Sequence, residues 1–364
     1  MTYSKKGSRF GWLALFLGII FLGTALCGSG YGETLRFVFI ADSRSPEECR
    51  TINTKVLDDL NEQILKWKPE FVIYGGDIAS YGINGDGSNN FLPFKDLMRK
   101  LTDKGIKLYV ALGNHELYKY EETNEKKYDH MFFYLAGQQQ YQQVFADMPN
   151  NGPPGYERLV YSFESPGHDA FFAILDPYYL DESMGGFKQD GNLMKIDDKQ
   201  LEWLRKEIQK TKATHKFLCM HTPIYPVLDV DKDKSPTSAI KLWEILDKAH
   251  FDIFLCGHEH LYSRQAINSK VNPNWRNSVV QIINGGAGAP AYKKDPNPER
   301  SDWHIDNWDI NQKRWGDDER FYYTVVDIKG KQVKVITYGG NNGKYSPIDE
   351  FSIPENSKTE IIGK

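Results

Sequence analysis

The sequence predicts an α/β fold built largely on parallel strands, and three observations carry that expectation. Short apolar runs alternate with stretches of helical periodicity. The spacing between runs suits crossover units, which join parallel strands with right-handed connections. Five of the runs end at residues able to ligate a metal, and open α/β sheets bind ligands at the carboxyl ends of their strands.

Leu35–Ile40 is the first strand, followed by the polar loop Asp42-Ser43-Arg44-Ser45-Pro46. Val56, Leu57, Leu60, Ile64, Leu65 and Trp67 then recur at helical spacing. Phe71–Tyr74 is a second strand ending at Gly76-Asp77. A loop rich in glycine and asparagine follows, then a helix near Phe91–Leu101. Lys107–Leu112 is the third strand and ends at Gly113-Asn114-His115-Glu116. From 117 to 158 the pattern breaks into a polar, tyrosine-rich insertion, expected to be a surface excursion.

Strands resume at Leu159–Phe163 and Phe171–Leu175, and an amphipathic helix at Gln200–Ile208 presents Leu201, Leu204 and Ile208 on one face. Lys216–Met220, ending at His221, and Phe251–Cys256, ending at Gly257-His258-Glu259-His260, bracket a helix near Ala239–Lys248. Val279–Ile283 leads into Gly285-Gly286-Ala287-Gly288, for which a plain turn is the simpler reading than a phosphate cradle. A loop near 289–318 carries Trp303, His304, Trp308 and Trp315, expected to pack on the domain. Phe321–Ile328 and Val333–Tyr338 make a closing hairpin, and 351–364 is a tail.

A net charge of −4 with both signs interspersed argues against a sequence-independent grip on nucleic acid, so no nucleic-acid-binding patch is expected. Lys5, Lys6 and Arg9 precede an uncharged stretch from Phe10 to Cys27 and the small residues Gly28-Ser29-Gly30. That is the layout of a signal peptide, or of an N-terminal membrane anchor given the length of the apolar stretch, over 1–32. The remainder, 33–350, is expected to be one exported domain: periplasmic, secreted, or anchored at the outer face of a membrane. Any membrane association would run through the anchor alone, and nothing in the sequence sets an oligomeric state. Cys219 and Cys256 read as small buried core residues, with a disulfide between them as the rival reading.

Asp42, Asp77, Asn114, His221, His258 and His260 make a set of oxygen and nitrogen donors, each just past a strand, of the kind a pair of metal ions needs. Singly, each has a plainer reading: a capping or loop carboxylate for the aspartates, a turn residue for Asn114, a hydrogen-bonded strand-end histidine for His221. Jointly, the order of the motifs decides. Gly-Asp at 76–77, Gly-Asn-His-Glu at 113–116, His221 followed by Thr-Pro, and Gly-His-Glu-His at 257–260 resemble the calcineurin-like metallophosphoesterases. His-Thr-Pro-Ile-Tyr at 221–225 and His-Leu-Tyr-Ser-Arg at 260–264 lean toward purple acid phosphatases.

The resemblance implies a layered α/β/β/α sandwich, two mixed β-sheets flanked by helices, with the metal site at strand carboxyl ends. It implies Asp77 as a carboxylate bridging two divalent or trivalent ions of iron, manganese or zinc. Asn114, His221 and His258 would complete one site, while Asp42 and His260 would serve the other. His115 would be a donor near the leaving group. A metal-bridging hydroxide would attack phosphorus in a phosphate ester, a monoester in preference to a diester.

Two departures from the family pattern bear on this scheme. The first motif usually reads Asp-x-His, and here it is Asp42-Ser43-Arg44; a guanidinium has no lone pair to offer a metal. The first site is then short of a ligand, and weak or empty occupancy is an expectation. Arg44 becomes either a clamp for substrate phosphate, and so part of the catalytic apparatus with His115, or a surface ion-pair partner. Purple acid phosphatases also need a tyrosine three residues after the bridging aspartate, where this chain has Ser80, so no charge-transfer colour is expected. The alternative function is a metal- or phosphate-binding protein with little or no turnover because of Arg44.

Overall fold

The computed structural model describes residues 34–45, 51–120, 132–165, 167, 169–180, 187–189, 195–226, 237–291 and 320–353. The expected leader, the loop tryptophans with His304, and most of the expected tail lie outside them. Among the described residues no helix is long and apolar enough to cross a membrane.

The elements run in order β1 (Leu35–Ile40), α1 (Thr54–Trp67), β2 (Phe71–Tyr74), α2 (Phe91–Thr102), β3 (Lys107–Val110), β4 (Phe132–Tyr134), α3 (Leu135–Val144), β5 (Tyr161–Ser165) and β6 (Ala170–Ile174). They continue with β7 (Phe187–Gln189), α4 (Asp198–Lys210), β8 (His215–Cys219), α5 (Thr237–Lys248), β9 (Ile253–Cys256), β10 (Tyr262–Ile267) and β11 (Val279–Asn284). The chain closes with β12 (Phe321–Lys329), β13 (Gln332–Asn341) and β14 (Lys344–Ile353). One sheet has the order β14-β13-β12-β1-β2-β3, the other β10-β11-β9-β8-β6-β5, and β4 pairs with β7 in a separate ribbon.

Both sheets are mixed. β1, β2 and β3 are parallel, while β12 runs antiparallel to β1 and leads into the β13 and β14 meander. In the second sheet β6, β8, β9 and β11 are parallel and the edges β5 and β10 antiparallel. The largely parallel expectation therefore holds for the centre of the second sheet and for the β1-β2-β3 side of the first, and the remaining strands turn each sheet mixed.

Period-two alternation sorts the side chains into layers. Phe217, Cys219, Ile253 and Leu255 face the first sheet, where Phe37 meets Phe172 and Phe217 edge-on with ring centroids 5.3 Å apart in each case. Leu218, Phe254 and Cys256 point the other way, into a cluster with Leu201, Leu204, Leu242 and Trp243 of α4 and α5. Helices α1 and α2 cover the opposite side with Leu57, Leu60, Ile64, Phe94 and Met98. The result is the α/β/β/α sandwich.

The same register excludes the disulfide. Cys219 pairs opposite Leu255, so Cys256, one position on, faces the other layer, and both thiols are free and buried.

Helix limits follow local chemistry. The Asn53 side chain accepts from the Val56 N–H at the start of α1, and Lys68 ends it in the left-handed region at φ 51°. Asp197 caps α4 through the Gln200 N–H.

The insertion departs from its expected role as a surface excursion. Tyr141 of α3 packs onto Phe91 of α2, Phe145, just past the α3 helix, packs onto Phe94 of α2, and the Tyr141 hydroxyl donates to the Val110 carbonyl at 2.9 Å. Two edge-region strands, β10 and β14, were also not expected. Polar residues interrupt both, and a buried ion pair between Arg264 and Asp349 joins them across the two sheets.

Candidate metal centre

Five parallel strands, β1, β2, β3, β8 and β9, direct their carboxyl ends to one place. Pairing continues past the strands there: Asp42 N–H donates to the Gly76 carbonyl and Ser43 N–H to the Asp77 carbonyl, each at 3.0 Å. Three residues then adopt left-handed backbone, Asp42 at φ 66°, Asp77 at 54° and His258 at 70°. Aspartate tolerates that region better than most residues, while histidine there carries strain of order 1 kcal/mol. All three contribute donor atoms to the cluster.

The donor atoms fall into two groups that share Asp77. Asp77, His221 and His258 form one, and Asp42, Asp77 and His260 the other, with ligand atoms in each within 4.8 Å of one another. Asn114 joins the first, its Oδ1 lying 3.2 Å from His258 Nδ1. Nε2 of His221 lies 3.3 Å from Asp77 Oδ2, and Nε2 of His260 lies 3.5 Å from Asp42 Oδ1. Metal bonds of about 2.0–2.2 Å place neighbouring donors roughly 3–3.5 Å apart, so these separations fit cations.

Two atoms make the fit specific. Asp42 Oδ1 and His221 Nε2 are buried and have no hydrogen-bond partner, the condition expected of donors whose partner is an ion.

The histidine tautomers are set from behind. His221 Nδ1 donates to the Gly75 carbonyl and His260 Nδ1 to that of Pro290, both at 2.7 Å, which leaves each Nε2 lone pair facing inward. His115 Nδ1 is held in the same way by the Ser80 carbonyl at 2.7 Å, and its Nε2 stands 3.8 Å from Asp77 Oδ2. His115 belongs to neither donor group.

Arg44 sits on a short bridge with Ile52; its Nε is buried and without a hydrogen-bond partner. Its charge acts on the site, since it helps hold both His115 and His258 below the usual imidazole range. Ser80 turns its hydroxyl toward the carbonyls of Ser45 and Thr51, and the Tyr81 ring lies against Tyr120.

Charge in the cluster is strongly polarised. Burial raises the Asp77 carboxyl, but His221 and His115 outweigh it and hold Asp77 far below the carboxylate range. Burial lowers the His221 imidazole, yet Asp77 and Asp42 push it up to about 9. Burial pushes His115 and His258 down to about 3. Without cations, a protonated His221 offsets the carboxylate charge that a metal would otherwise neutralise.

Several contributors were not assigned in advance. Glu116 accepts the N–H of Asp77, Ile78 and Gly113; its place in Gly-Asn-His-Glu was the available signal. Gly113 and Gly257 leave room for carboxylates, because a Cβ on Gly113 would collide with Asp77 and one on Gly257 with Asp42. The 285–289 segment turns back along the end of β1, which takes two of its backbone donors away from any phosphate. The N–H groups of Ala287 and Ala289 are spent on the carbonyls of Ala41 and Asp42. Tyr262 and Arg264, just past His260, both bond Asp349 and brace the fold.

This geometry defines a binuclear metal-binding class of α/β sandwich. Residues 35–262, more than half of the chain, match the family profile described as calcineurin-like phosphoesterase, and the chain belongs to that family. No curated protein sequence matches it.

Among solved structures, a purple acid phosphatase from yellow lupin (Lupinus luteus) seeds superposes with a TM-score of 0.60 at 16% identity, over 88% of this chain and 54% of that one. The chain thus spans about half the length of the lupin protein. A dimetal phosphatase from Danio rerio aligns at 15% identity and TM-score 0.48, over 86% of this chain and 98% of that one.

Proposed function

We propose that this chain is an exported metal-dependent phosphomonoesterase. The observation that carries the proposal is the pair of donor groups sharing the Asp77 carboxylate, inside which Asp42 Oδ1 and His221 Nε2 are buried without a hydrogen bond. Asp77, Asn114, His221 and His258 would hold one cation, and Asp42, Asp77 and His260 the other. Two such cations supply Lewis acidity, making water acidic and offsetting phosphate charge.

The chain's own groups act around them. Arg44, whose Nε has no other partner, offers paired N–H donors to the non-bridging phosphate oxygens. His115 is held by Ser80 with Nε2 3.8 Å from Asp77 Oδ2. A phosphate dianion beside it opposes the burial that keeps the ring neutral, and the protonated Nε2 then donates to the leaving oxygen. A fixed guanidinium beside several imidazoles favours the doubly charged monoester over a singly charged diester. The basic, apolar, small-residue order of the first thirty positions supports export.

The test pairs elemental analysis of protein purified without chelator with hydrolysis of p-nitrophenyl phosphate and its bis ester under added Mn, Zn and Fe. Metal-dependent turnover of the monoester is expected, and Arg44→Ala should raise KM more than it lowers kcat. Bound metal without turnover of either ester would overturn the enzyme and favour a binding protein. Mass spectrometry of the mature amino terminus tests export.

A further inference from the structure

We propose that Tyr118 is a positioning residue of the metal centre: its hydroxyl sets which end of the Asn114 amide faces the cation. The inference rests on the metal-dependent reading above. An asparagine amide has lone pairs to give on its oxygen and none on its nitrogen, so only one of its two orientations ligates. Here Asn114 Nδ2 donates to the Tyr118 hydroxyl at 3.2 Å, which leaves Oδ1 beside His258 Nδ1, also at 3.2 Å.

Tyr118 is itself locked. It is 3% exposed, its ring meets His115 edge-on with centroids 4.8 Å apart, and it leans on Phe133 at 5.5 Å. Phe133 comes from β4 of the inserted ribbon, and it also meets Tyr178 at 5.6 Å. Tyr178 shares a hydrogen bond with Thr222, the residue after His221. The insertion therefore backs Asn114 through the Tyr118 hydroxyl, and through Phe133 and Tyr178 it reaches Thr222, the neighbour of His221 in the same donor group. A ribbon that adds nothing to the donor groups found among the described residues acquires a role in metal affinity.

The test is a cycle of wild type, Tyr118→Phe, Asn114→Asp and the double variant, each stripped with chelator and titrated with Mn2+ and, separately, Zn2+ by calorimetry. Thermal midpoints of the stripped forms are recorded alongside. Phenylalanine keeps the ring and removes only the hydroxyl, while a carboxylate carries oxygen at both ends and needs no orienting. Tyr118→Phe is expected to weaken the tighter site about tenfold with asparagine at 114, and by less than about twofold in the Asn114→Asp background. Equal losses in both backgrounds, or no loss with asparagine, would overturn the positioning role. Failure of the wild type to bind either ion would instead remove the metal reading beneath it.

Discussion

Glu116 holds Asp77 by its backbone. The Glu116 carboxylate accepts the Asp77 N–H at 2.9 Å with Oε2 and the Ile78 N–H at 2.7 Å with Oε1, and Oε2 also takes the Gly113 N–H at 2.6 Å. One buried side chain thus ties the turn after β2 to the turn after β3. It keeps Asp77 in left-handed backbone with its carboxylate turned back into the site. Burial and the Asp77 charge raise the Glu116 carboxyl against the pull of those donors.

Glu116→Ala should therefore leave three buried N–H groups without an acceptor. We expect a loss of about 1–3 kcal/mol for each one that water does not reach, and a metal affinity lowered about tenfold or more. Urea denaturation and metal titration of the stripped protein measure the two effects. A variant with wild-type metal affinity would show that the Asp77 turn holds without Glu116.

Gly257 separates the two halves of the metal centre experimentally. A Cβ there would run into the Asp42 carboxylate and come within 2.7 Å of the Ala41 Cβ. Gly257→Ala is expected to lower occupancy of the Asp42 and His260 side about tenfold while the Asn114 and His221 side keeps its ion. Metal titration of the stripped protein should then show weakened binding at one site only. Equal loss from both sides would contradict this division.

His215 predicts a pH dependence of stability away from the metal centre. Its Nδ1 lies 3.3 Å from Asp252 Oδ2 and its Nε2 2.8 Å from the Gly330 carbonyl, which links β8 to the turn between β12 and β13. Burial lowers this imidazole, but Asp252 and the Gly330 carbonyl outweigh it, and the net shift is upward from 6.5. A raised folded value means that the stabilisation is complete below about pH 6.5 and fades as pH rises through the folded value. His215→Asn should cost about 1 kcal/mol or more at pH 5.5 and less at pH 9, by paired denaturation curves. A cost that grows with pH would mean that the ring is held neutral.

Asp349 supplies the closure between the sheets. It accepts Arg264 Nε at 2.7 Å and Nη2 at 3.1 Å, along with the Tyr262 hydroxyl at 2.6 Å. Asp349→Ala removes both carboxylate bonds to the buried guanidinium and the acceptor of the Tyr262 hydroxyl, and we expect a loss of about 3–5 kcal/mol. The double variant Arg264→Met, Asp349→Ala should recover part of that loss. If the single and double variants are equally unstable, the pair matters through packing, as the Arg264 guanidinium over the Phe351 ring at 4.5 Å would allow.

Local pattern accounts for the central strands and the donors after them. Phe71–Tyr74 and Leu35–Ile40 are short apolar runs bounded by polar punctuation, and their pairing in the sheet interior leaves no other use for such residues. Asp42, Asp77, Asn114, His221, His258 and His260 each lie within a few residues of such a run, so local pattern and motif order placed them together. Tertiary structure alone decided the rest. α3 is rich in glutamine and becomes core only because Tyr141 and Phe145 find Phe91 and Phe94. β10 and β14 carry buried charge that is tolerable only as a pair, between residues 85 positions apart. The roles of Glu116, Gly113 and Gly257 depend on backbone and carboxylates brought in from neighbouring strands. Contacts of that kind have no local period, and only the folded chain brings them within a few ångströms.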